Sequence, residues 1–93
     1  MSLVVQGASG TITVPDTVLA EIATRAAESV DGVRVRRRRS VDVEARTVKL
    51  GVAARRGDAL RSVGERVQEH VAAAFRTMCG LEVTVDVGIE ELT

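Results

Sequence analysis

Four consecutive arginines, Arg36 to Arg39, are the residues whose type and spacing could most directly hold a ligand. Guanidinium groups set close together suit the oxygens of phosphates and carboxylates. They lie in a wider basic stretch: from Val33 to Arg56, Arg34, Arg36, Arg37, Arg38, Arg39, Arg46, Lys49, Arg55 and Arg56 face only Asp42 and Glu44. The whole chain has 13 basic and 13 acidic residues, so the remainder is strongly acidic. Such segregation favours an acidic partner, or head-to-tail contact with another copy, and steers encounters at low ionic strength. The candidate binding patch is Arg34, Arg36, Arg37, Arg38, Arg39, Arg55 and Arg56. Its ligands could be acidic proteins, anionic lipid headgroups or nucleic-acid phosphates. The bland alternative is a charged strand edge that deters aggregation.

Catalytic chemistry finds little support. His70 falls beside Arg66 and Glu69 on the polar side of an expected helix, and no serine, cysteine or carboxylate is placed in sequence to make it a base. Cys79 ends the same helix, where the negative end of the helix dipole disfavours a thiolate. With one cysteine, one histidine and no alternating Asp/Asn calcium loop, metal-ligand spacing is absent, and no cofactor is implied. Phe75 is the only aromatic residue, which removes the base-stacking mode of sheet-type RNA binders. Gly7-Ala8-Ser9-Gly10 has the G-x-x-G form of another RNA-binding loop, but it precedes a strand instead of joining two helices. The sequence therefore reads as a binding protein, not an enzyme, with nucleic acid a disfavoured partner.

At 93 residues and 45 % hydrophobic content, the chain suits one domain that folds without a metal or disulfide. The first residues lack a charged segment followed by a long apolar one, and no apolar run is long enough to span a bilayer. A cytoplasmic protein is the expectation.

The elements repeat in two halves. In the first, Gly10-Thr11-Ile12-Thr13-Val14 alternates like a strand, Pro15 and Asp16 start a helix, and Val18, Leu19, Ile22, Ala23, Ala26, Ala27 and Val30 draw one apolar stripe that Gly32 closes. In the second, Val48 to Val52 forms a strand, and Gly57-Asp58 supplies a turn and N-cap. A helix follows from about Ala59 to Cys79, with Leu60, Val63, Val67, Val71, Ala74 and Met78 on one side. Phe75 and Met78 are expected in the core. Gly80 closes that helix, and Leu81, Val83, Val85, Val87 and Ile89 alternate after it.

Between the halves, Val33, Val35, Val41, Val43 and Ala45 share one parity. A hairpin pairing Val43 with Leu50 and Val41 with Val52, closed near Arg46-Thr47, keeps the apolar side chains together. The expected fold is α+β: a two-layer sandwich with two helices on one face of a mostly antiparallel sheet, in βαββαβ order. Residues 1–9 form a flexible lead-in and 10–93 a single domain. The open sheet face should carry Thr11, Thr13, Arg34, Arg36, Asp42, Glu44, Glu82, Thr84 and Asp86.

The pieces Gly10-x-Ile12-x-Val14, Val18, Ile22-Ala23, Ala26 and Val30-x-Gly32-Val33 resemble the alkaline shock protein family of bacterial envelope stress response proteins. So do Val63, Val67-Gln68, Val71 and Met78-Cys79-Gly80-Leu81 running into Val83-x-Val85-x-Val87. The likeness spans about Gly10 to Leu92. Three features depart from it: Cys79 stands where threonine is usual, Arg56 where an aromatic is common, and the run Arg36 to Arg39 is peculiar to this chain. The resemblance implies a non-enzymatic cytoplasmic protein that forms homo-oligomers, is held near the membrane by a membrane-anchored protein partner, and supports envelope homeostasis. It also leaves open a regulatory role beside a fatty-acid metabolism enzyme.

Overall fold

Two helical stripes and one strand face must each be covered from water, and one arrangement covers all three. The computed structural model describes residues 2–55 and 57–91, without the side chains of residues 37, 38 and 91. In chain order the elements are β1 (Leu3–Gly7), β2 (Gly10–Val14), α1 (Asp16–Glu28), β3 (Arg34–Asp42), β4 (Thr47–Ala54), α2 (Leu60–Cys79) and β5 (Thr84–Glu91). The fold is α+β. Leu19, Ala23 and Ala27 of α1 and Val63, Val67, Val71 and Phe75 of α2 pack with Val48, Leu50 and Val52 of β4 in a single core. Both helices therefore cover the same sheet face.

Local sequence explains the helix ends. Pro15, at φ −66°, sits at the N-cap of α1 and Asp16 in its first turn. Gly80 takes φ 65° after α2, where the Leu81 N–H donates to the Phe75 carbonyl and the Gly80 N–H to that of Arg76. Asp58 is not the N-cap of α2: that position is Ala59, which has no side-chain cap bond.

The expected order gains a strand. Residues 3–7 of the supposed flexible lead-in form β1, antiparallel to β2 in a separate two-stranded sheet, with Leu3 opposite Val14 and Val5 opposite Ile12. Ala8-Ser9 joins two runs that are both uncharged and rich in β-formers, so the glycine-bounded turn makes a hairpin instead of a free tail. The larger sheet has the order β3-β4-β5. Its β3–β4 junction is antiparallel and its β4–β5 junction parallel, so it is mixed, because α2 carries the chain back across the sheet before β5.

The central hairpin keeps its parity but changes its register. Val41 pairs with Val48 and Val35 with Val52, and between them the ladder shifts, with Arg36, Arg37 and Arg38 facing a single β4 position. The loop is also longer than expected. Residues 43–46 connect the strands; the Asp42 carboxylate accepts from the Ala45 N–H, and Arg46 takes φ 52°. A tight two-residue turn would have wanted glycine there; a four-residue loop braced by an aspartate does not.

In α2 the buried side chains recur every four residues, at Val63, Val67, Val71 and Phe75. Met78, expected in the core, is 67 % exposed. The stripe runs through Phe75, and Met78 falls on its flank beyond the last turn that the sheet covers. Replacing the fully buried Phe75 by alanine should cost about 3–5 kcal/mol, read as a lower urea midpoint at unchanged slope, whereas Met78→Ala should cost less than about 0.5 kcal/mol. Equal losses would contradict this packing.

Candidate interaction surfaces

The bulge in β3 disperses the arginines. By register, Arg34 lies on the open sheet face opposite Ala53, whereas Arg39, opposite Leu50, lies on the helix side. There the Arg39 guanidinium donates to the Thr24 hydroxyl of α1 at 3.2 Å. Arg36 reaches over β4 to Glu90 of β5, with Nε 3.0 Å from Oε1. Arg55 holds Asp31 at 2.7 Å and Asp58 at 3.8 Å. A Cβ at Gly32 would fall onto the Arg55 guanidinium, so glycine there serves both a φ of 81° and this close approach. Arg56 and the side chains of Arg37 and Arg38 lie outside the described residues. Of the candidate patch, then, Arg36 and Arg55 are neutralised within the molecule, and the described members do not share one face.

The open face is polar but of mixed charge. Lys49 pairs in register with Asp86, and Gly51 with Gly88. Together with Arg36 and Glu90 these residues line an open groove of about 1180 Å³ with a glycine floor. Arg34, Asp42, Thr84 and Asp86 lie on this face as expected. Thr11 and Thr13 belong to the separate hairpin, Glu44 to the loop, and Glu82 to the segment before β5. Sequence counting could not foresee the internal pairs, because Arg36 and Glu90 are 54 residues apart.

Among the described residues, large apolar side chains are uncovered at Leu60, which opens α2, and in two further places. Val18, Ile22, Ala26, Ala74 and Met78 line a groove of about 490 Å³ between the helices, where Val18 is 44 % exposed. On the hairpin, Val4 is 59 % and Ile12 56 % exposed. Neither surface was singled out by the sequence, because exposure of an apolar stripe depends on what covers it.

The fold does bring a serine to the histidine. Ser29 Oγ lies 2.7 Å from His70 Nδ1 and also donates to the Ala26 carbonyl. The contact braces the C-terminal end of α1 against α2. Cys79 is half-buried, and burial pushes its thiol pKa up, away from the reactive thiolate.

At the far end of α2, Arg76 grips Glu82 with two nitrogens, at 2.7 and 3.4 Å. This fork raises the Arg76 pKa and holds the Glu82 carboxyl below its ordinary value through hydrogen bonding and charge attraction. A carboxyl pKa depressed in the folded state stabilises above the unfolded pKa, and that stability is lost as pH falls through the folded value. NMR titration should find Glu82 depressed in the native chain and returned to the ordinary glutamate range in Arg76→Ala; an unchanged Glu82 would refute the fork.

No described helix is long and apolar enough to cross a membrane. No family model, curated protein or solved structure matches the chain.

Proposed function

We propose that this chain is a non-enzymatic interaction protein that associates with itself and supports the bacterial cell envelope under stress. It works from the cytoplasm, at the inner face of the membrane, where a membrane-anchored protein partner holds it. The observation that carries the reading is apolar side chains left open to solvent: Val4 and Ile12 on the two faces of the hairpin, Met78 and Val18 between the helices. Exposed apolar surface of this kind suits protein contact better than chemistry. The envelope role rests on the resemblance to alkaline shock proteins.

A basic-patch binder of lipid or nucleic acid has less behind it. Arg36 and Arg55 already spend their charge on Glu90 and Asp31, and the groove beside Arg36 mixes both signs. The reading predicts that a strain lacking the protein tolerates envelope stress poorly and that the wild-type chain restores tolerance. Met78→Glu, folded by circular dichroism, should restore it poorly and lose membrane-fraction partners in pull-downs. A deletion strain indistinguishable from its parent, together with no partner in the membrane fraction, would defeat the proposal.

A further inference from the structure

Residues 1–15 contain no Asp, Glu, Lys, Arg or His, the longest such stretch in the chain. They supply β1 and β2. The hairpin sheet has only these two strands, and β2 is exposed along its length except at half-buried Val14. β1 is tied to the body by Leu3 in the core and by Val5 packed against it. The more exposed of the two strands is therefore β2. Its treatment contrasts with the other sheet, whose edge strand β3 carries five arginines and a ladder irregularity, both devices that deter edge pairing.

We infer that β2 pairs edge to edge with β2 of a second copy, antiparallel about a two-fold axis at Ile12, to give a four-stranded sheet. The strand is complementary to itself under that operation. Thr11 would face Thr13 of the second copy, Gly10 would face Val14, and Ile12 would face Ile12, pairs that are favourable or neutral and free of like charges. Ile12 shares its hairpin face with Leu3, Val5 and Val14, so the two apolar faces become one. A two-stranded sheet is marginal alone, and four strands remove that weakness.

Charge and shape fit the same occupant. An uncharged edge offers no hold to an acidic or basic partner, whereas an identical uncharged edge meets it without an unpaired charge. The molecule is 49 Å long and about 20 Å wide, longer than the roughly 30 Å of a 20-residue helix. The hairpin touches the rest sparsely. Joined at their hairpins, the two charged bodies sit at opposite ends. The two-fold uses both β2 edges, so the pairing through β2 closes on itself. A five-residue edge is a small interface, so association is concentration-dependent, not obligate.

This inference rests on the self-association proposed above and names its surface. Sedimentation velocity on the full chain from about 10 μM to about 1 mM should show a monomer–dimer equilibrium. Ile12→Lys and Ile12→Glu, each placing like charges on the axis, should raise the dissociation constant at least about tenfold. An equimolar mixture of the two variants should recover the dimer, an outcome that misfolded chains cannot produce. Variants that dimerise like the wild type would overturn the β2 contact while leaving self-association standing. A wild-type chain that stays monomeric throughout would overturn both, and open-ended assemblies would overturn the closed pairing.

Discussion

The structure depends on covering one face of β4. Val48, Leu50 and Val52 are almost wholly removed from water, and both helices lie on them. With Phe75 the single aromatic, this core is made of small aliphatic side chains, each contributing about 1.5–3 kcal/mol when fully buried. Little is left over to cover a second face. The opposite side of the sheet stays open, and its polar rim and glycine pair follow from that.

The same economy explains the hairpin. β1 and β2 stand apart from the larger sheet, tied to the core chiefly through Leu3. A strand pair without a covering layer exposes its side chains to solvent whatever their type, and here two of them are Val4 and Ile12. The uncharged segment thus leaves two large apolar side chains more than half exposed. The basic segment moves the other way, from presumed ligand patch toward internal service: Arg36 ties β3 to β5, Arg39 ties β3 to α1, and Arg55 holds the turn after α1. These pairs are exposed and individually worth little. Their effect is on which charges remain to be offered outward.

Much of the architecture was legible in particular residues. The helix of Leu19, Ala23 and Ala27 announced itself by spacing, and Pro15, Gly32 and Gly80 marked turns that backbone geometry alone demands. The parity of Val35 and Val41 also held, since alternation is a local property of an extended chain. Register was not legible, because three arginines, Arg36 to Arg38, can face a single β4 position without disturbing that parity. Nor was the fate of Met78 and Val18, which carry the right residue type at helical spacing yet have no layer above them.

The sequence by itself determined both helices and four of the five strands, their apolar sides, and the uneven distribution of charge, but not β1. These follow from backbone sterics and side-chain periodicity within a few residues. Only the tertiary structure decided that β5 runs parallel to β4, that Ser29 meets His70, and that Arg36 finds Glu90. Each joins residues far apart along the chain, and which partner a charge or an apolar stripe meets is settled by how the layers close over one another.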